Sequence, residues 1–149
     1  FIERKNILIK SAFETLNKQK QRVIGDTRKD ILKIVREFDN PKLGICWDIS
    51  HDSTNYYPGK VPLDDEFYKH VIYCHVHGIS LNKSISHISI ENSDIDFSTI
   101  INYLKEKNYQ GVLNIELLMN FCGESYLDDL FTDMNTIVQL SIFEQQKKF

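Results

Sequence analysis

Three short apolar runs in this chain end in side chains that ligate metal ions. Leu43-Gly-Ile-Cys-Trp-Asp-Ile-Ser-His51 delivers Asp48 and, three residues on, His51. Val71-Ile-Tyr-Cys-His-Val-His77 ends in histidines, and Gly111-Val-Leu-Asn-Ile-Glu116 ends in a glutamate. A short run of apolar, β-forming residues without alternation is the mark of a strand buried on both faces, as parallel sheets produce. When such strands stop at Asp, His or Glu, they carry oxygen and nitrogen donors to one edge, and these are the ligands of a borderline divalent metal.

Helical patterns separate the runs. Ile31, Leu32, Ile34, Val35 and Phe38 fall on one stripe behind a cap at Asp26 or Thr27, and Asp39-Asn-Pro41 stops that helix. Leu63 to about His70 reads as a short helix, with His70 a surface residue on it. Asp96 caps a helix to about Lys107, and Ser125-Tyr-Leu-Asp128 has capping-box form ahead of a last helix. The apolar face of that helix is Leu127, Leu130, Phe131, Met134, Ile137 and Val138. With a brief strand at Asn6–Ile9, the order is β-α-β-α-β-α-β-α, an α/β chain with a parallel sheet and right-handed crossovers. Residues 49–62 and 78–93 read as loops, and the stretch Asn55-Tyr-Tyr-Pro-Gly59 with Pro62 as a candidate cover for a site.

Composition narrows the class. The 149 residues are one domain's worth of material, 42% hydrophobic, with no apolar run of membrane-span length and no secretory signal at the start, so a globular cytoplasmic protein is expected. Cys46, Cys74 and Cys122 are odd in number and lack C-x-x-C spacing, which fits reduced, mostly buried thiols. Residues 1–42 carry eleven Lys/Arg against six Asp/Glu, and residues 43–149 carry seven against fifteen. The acidic second part disfavours nucleic acid, and Lys18-Gln-Lys-Gln-Arg22 reads as a solvated face before it reads as a phosphate contact.

Gly44-Ile-Cys-Trp-Asp-Ile-Ser-His51, His75-Val-His77, the stretch from His87 to Asp96 and Gly111-Val-Leu-Asn-Ile-Glu116 come in the order and spacing of one family. They resemble the sixth to eighth strands of the xylose isomerase-like TIM barrels, which include sugar and sugar-phosphate isomerases and epimerases and the apurinic-site endonucleases. The resemblance implies that residues 1–149 are a C-terminal half barrel, about four of eight (β/α) units, because a full barrel needs about 250 residues. It implies Asp48, His77 and Glu116 as ligands of a divalent metal (Mn, Mg, Co or Zn). His51 is implied as ligand or substrate contact, His87 as a substrate contact, and Glu116 also as the catalytic carboxylate. The expected substrate is a sugar or sugar phosphate, and the expected partner another half barrel or a second copy. A non-catalytic or truncated half-barrel subunit is one alternative. A metal-dependent phosphodiesterase of the apurinic-site endonuclease kind is another, although the Asp of that group's Asp-x-His pair is Ile85 here.

The first strand departs from the family pattern. Lys10 stands where the fifth-strand glutamate belongs and Glu14 follows four residues later, so either Glu14 reaches the site or one carboxylate is missing. His75, one step deeper than His77, reads as a packed core histidine, and Trp47 as packing on the face opposite Asp48. A ligand role for Glu116 predicts that Glu116→Gln weakens metal binding by at least about tenfold. Glu124→Gln should leave it unchanged, and calorimetric titration with a divalent ion measures both; equal affinities would remove Glu116 from the ligand set.

Overall fold

In a computed structural model the described residues are 10–16, 24–55 and 63–142. The elements are β1 (Ser11–Glu14), α1 (Arg28–Phe38), β2 (Leu43–Asp48), α2 (Ile49–Asn55), α3 (Asp65–Tyr68), β3 (Val71–Val76), β4 (Gly78–Ser80), β5 (Ile85–Ile88), α4 (Phe97–Glu106), β6 (Val112–Ile115), α5 (Met119–Cys122) and α6 (Tyr126–Ile142). Strands β1, β2, β3 and β6 lie side by side in that order, all parallel, and β4 pairs β5 as an antiparallel hairpin. The parallel α/β arrangement read from the sequence is therefore present. No helix among the described residues is long and apolar enough to cross a membrane.

Alternation along the strands divides the sheet into two faces. Ile45, Trp47, Cys74 and Val76 point to the helices and pack with Ile31, Val35, Phe67, Ile100, Ile101 and Leu104 in one buried cluster. Cys46 and Asp48 of β2 point the other way, toward the concave side, beside Tyr73 and His75 of β3 in the ladder register. Trp47 is core packing, as expected. All three cysteines are free thiols, and Cys46 and Cys74 are buried.

Local chemistry sets the element ends. Thr27 accepts the Asp30 N–H at 3.1 Å, and α1 closes on Asp39, whose φ of 41° turns the chain ahead of Pro41. Gly78 permits the hairpin to fold back, since a Cβ there would meet the Ser89 carbonyl at 2.2 Å. Asp96 caps α4, its Oδ1 taking the N–H groups of Ser98 (3.0 Å) and Thr99 (3.2 Å).

Several elements differ from the sequence reading. Asn6–Ile9 lies outside the described residues, and the strand itself is Ser11–Glu14, so its end is Glu14 and not Lys10. Residues 49–55, read as loop, form α2, because the Asp48 carboxylate caps the chain directly off the strand. Residues 78–93, read as irregular, contain the hairpin. The candidate cover at 56–62 lies outside the described residues. Ser125 is not a box cap: its Oγ sits 2.7 Å from the Cys122 carbonyl and 3.0 Å from Asp129 Oδ2. Of the stripe expected to face inward on α6, Ile137 is buried, whereas Leu127, Phe131, Met134 and Val138 are 48–61% exposed.

The Ser98 and Thr99 hydroxyls and the capped Thr99 N–H hold the Asp96 carboxyl at about 2, below its ordinary 3.8. A depressed carboxyl stabilises the fold above its unfolded value and loses that contribution as pH falls through the folded one. Asp96→Ala is expected to cost about 1 kcal/mol at neutral pH. The difference from wild type should shrink as pH is lowered from 3.8 toward 2, which urea unfolding at stepped pH measures.

Candidate metal centre at the strand ends

The C-terminal ends of the parallel strands meet at Asp48, which is fully buried. Its backbone N–H donates to Thr15 Oγ1 at 2.8 Å and its carbonyl accepts from the same hydroxyl at 3.2 Å, which fastens the end of β2 to the residue after Glu14. Asp48 Oδ1 accepts the N–H groups of Ser50 (3.0 Å) and His51 (2.8 Å), the first turn of α2. The carboxylate is thus both a cap and a site group, because Oδ2 is left to face the imidazoles.

Around it the donors close in. Asp48 Oδ2 lies 3.1 Å from His51 Nδ1 and 3.7 Å from His75 Nδ1, and Oδ1 lies 3.4 Å from His77 Nε2. Glu14 Oε1 is 3.3 Å from His75 Nδ1 and 3.6 Å from His51 Nδ1. On the far side of the same ring, Glu116 Oε1 is 3.3 Å from His75 Nε2, and Asn114 Nδ2 holds that oxygen at 3.2 Å. Glu116 Oε2 is 4.0 Å from His87 Nε2.

His87 reaches the site by an unusual route. Its backbone adopts φ 61°, a left-handed conformation that costs a non-glycine residue about 1–3 kcal/mol and concentrates at functional positions. In that conformation its N–H donates to His77 Nδ1 at 3.1 Å and its ring stacks on His77, centroids 3.9 Å apart at 10°. His51 meets both rings edge-on.

Electrostatics follow from this crowding. His51 and His75 pull the Glu14 carboxyl down to about 2. Burial opposes ionisation of Asp48, yet His75, His77 and His51 outweigh it and hold that carboxyl well below the usual range. Asp48, Cys46 and Glu14 push His75 up to about 12. Burial works against a charged His51, but Glu14 and Asp48 raise it above its ordinary value. Burial, with His77 and His51 beside it, lowers His87 to about 4.

Asp48 Oδ2, His51 Nδ1, His75 Nδ1 and His77 Nε2 are buried with no hydrogen-bond partner. Four such atoms aimed at one another would be costly unless something polar joined them, and imidazole and carboxylate donors at this spacing fit a divalent cation. Among the described residues, two groups of three have ligand atoms within 4.8 Å of one another: Glu14, Asp48 and His75, and His51, His77 and His87.

The structure brings Asp48, His51 and His77 together and sets Glu116 and His87 against each other on the same edge. Glu14 and His75 join them. His75, read as a packed core residue, is instead flanked by three carboxylates, because its register partner is Asp48 and both point to the concave face. The available sequence signal is the period of two in His75-Val-His77, which puts both histidines on one face. Thr15 and Asn114 carried no comparable sequence signal.

Comparison with known proteins places this geometry. A family model described as xylose isomerase-like TIM barrel matches residues 1–120. An uncharacterised protein of Methanocaldococcus jannaschii is 33% identical over 95 residues, 63% of this chain and 32% of that protein. A D-tagatose 3-epimerase-like protein superposes with a TM-score of 0.64 at 23% identity, covering 91% of this chain and 50% of the other. A xylose isomerase domain protein from Planctomyces limnophilus gives 0.63 at 18%, covering 91% and 46%. D-allulose 3-epimerase from Methylomonas sp. gives 0.59 at 13%, covering 98% and 50%. At these identities the solved structures show the fold alone. The chain spans about a third of the curated relative and about half of each solved structure, so the four parallel strands are those of a half barrel. This chain belongs to the xylose isomerase-like TIM barrel family.

Proposed function

We propose that the chain is a metal-dependent sugar or sugar-phosphate isomerase or epimerase domain, the C-terminal half of its barrel, with β1, β2, β3 and β6 as the fifth to eighth strands. The observation that carries the reading is the placement of two carboxylates about one imidazole, Glu14 on the Nδ1 side of His75 and Glu116 on the Nε2 side, each at 3.3 Å. Glu14, Asp48 and His75 are the residues that would hold the cation, with His51 and His77 at Asp48's other contacts and Glu116 across the ring. A divalent cation bound there supplies a Lewis acid that polarises a sugar carbonyl. The protein's own groups do the proton work. Glu14 and Glu116 face a substrate from two sides, so one carboxylate takes the proton from the carbon beside the carbonyl and the other returns it. Asn114 fixes Glu116 for that transfer. His87, held neutral by its surroundings, and His51 meet substrate hydroxyls. The names of two similar structures, a D-tagatose 3-epimerase-like protein and a D-allulose 3-epimerase, support a ketose as the substrate class.

The same reading assigns the chain a second half barrel as partner. β1 and β6 are the edges of the sheet, and the apolar residues beside them are uncovered, Phe13 at 38% and Val112 at 52%.

Chelator-free protein is expected to carry a near-stoichiometric divalent metal by elemental analysis. Glu14→Gln and Asp48→Ala should weaken its binding by at least about tenfold, and Lys10→Gln should not. In heavy water the loaded protein should incorporate deuterium at the carbon beside the carbonyl of a ketohexose or sugar phosphate, followed by proton NMR. A chain that takes up no metal on titration overturns the reading. Sedimentation velocity tests the partner: association into a dimer or larger is expected, and a stable monomer at all concentrations refutes closure by a second copy.

A further inference from the structure

Asp52 is a buried carboxylate beside the site that the proposed chemistry does not use. It is 3% exposed, and a single oxygen, Oδ2, accepts the Trp47 Nε1–H at 2.9 Å and the Arg28 Nε–H and Nη2–H at 2.9 and 2.6 Å. Arg28 opens α1, Trp47 is the penultimate residue of β2, and Asp52 lies in α2 directly after His51. The three groups therefore tie the helix that presents His51 to the strand that presents Asp48 and to the neighbouring helix.

We infer that Asp52 is a positioning residue for the strand-end site: clamped by Arg28 and Trp47, it fixes the orientation of α2 and thereby keeps His51 against Asp48 and Glu14. A charged pair also explains why this carboxylate is not a further metal ligand. Its charge is directed away from the imidazoles onto a guanidinium that is itself 11% exposed at the side chain. α2 has only seven residues, too short to hold its own geometry; at its start the Asp48 cap, the buried Ile49 and the Ser50 hydroxyl on the His77 carbonyl hold it, and this clamp holds its middle. The inference rests on the proposed site for its purpose and on the clamp geometry for its substance.

The test uses the full 149-residue chain with Asp52→Asn and with Trp47→Phe, which keeps a ring and removes only the N–H, and with Asp133→Asn as control. Asp133 is equally buried but holds Ser89 and Ile90, away from α2. Amide hydrogen exchange of the metal-free protein is the first readout. In Asp52→Asn and Trp47→Phe, the Ser50 and His51 amides should exchange at least about tenfold faster while those of Ile101 and Leu104 in α4 stay unchanged. The Asp133 variant should leave Ser50 and His51 as in wild type. Titration with Co²⁺ is the second: Asp52→Asn is expected to bind about tenfold more weakly or worse, and the control within twofold of wild type. Exchange that rises equally in α2 and α4, or does not rise in α2, overturns the positioning role. Wild-type protein that binds no Co²⁺ would overturn the metal site instead, and exchange would still decide the clamp; if Asp52→Asn does not fold, Trp47→Phe carries the measurement.

Discussion

The Asp48 carboxylate is the group on which the rest of this structure depends. It has two tasks that compete for the same atoms, and the fold divides them by oxygen. Oδ1 receives two N–H groups and starts α2, so the chain leaves the sheet directly as helix. Oδ2 is left without a hydrogen bond, buried among imidazoles. A carboxylate sealed from water is costly unless compensated, and here the imidazoles of His51 and His75 face it, the same groups that the proposed reading has share a divalent ion with it. Stability and site chemistry therefore meet in one side chain, since whatever fixes Asp48 also fixes α2, His51 and, through Thr15, the end of β1.

Much of this was visible in the sequence because parallel strands write their burial openly. The strand that ends at Asp48, the helix starts at Thr27 and Asp96, and the candidates Asp48, His51, His77, His87 and Glu116 are all legible in the sequence. What was not visible has physical reasons. Asn6–Ile9, outside the described residues, is the more apolar run, whereas Ser11–Glu14 is an edge strand whose pattern carries little signal, so Lys10 reads as the strand-end residue although the described strand ends at Glu14. His75 was assigned to the core because depth along one strand was weighed without the register to its neighbour. Asp52 was overlooked because a carboxylate in a polar stretch looks solvated until its partners, 24 residues upstream and five residues back, are brought to it.

The exposed face of α6 is the other instructive departure. A stripe of Leu127, Phe131, Met134 and Val138 at helical spacing is ordinarily read as core, and the spacing here is sound. The side chains lack a neighbour among the described residues that would cover them. Asp133, between Phe131 and Met134, is fully buried on another face of the helix, where it takes the Ser89 hydroxyl and the Ile90 N–H. The helix is thus docked by this polar contact, by Ile137 and Leu140 against the core and by Lys105 Nζ on the Leu140 carbonyl, leaving the apolar stripe turned outward. Periodicity finds an apolar face reliably, but says nothing about whether the surface that face requires is in the same half of the barrel.

That division bears on how a half barrel carries a site at all. The donors gathered at the strand ends, from Glu14 to Glu116, lie on the parallel strands or one residue past them, as His77 and Glu116 do, on α2 and on the β4–β5 hairpin. In a barrel the rule that functional groups sit at the C-terminal strand ends makes each strand an independent contributor, so contiguous strands can assemble a cluster before the cylinder is complete. What the remaining half would add is different in kind. Among the described residues Tyr73, His75 and Asn114 on the concave face are part-buried, and a closed barrel would exclude water from that face and raise the strength of each electrostatic contact around Asp48. On this view the donors and their clamp belong to this chain, and the low-dielectric chamber in which they act belongs to the closed barrel.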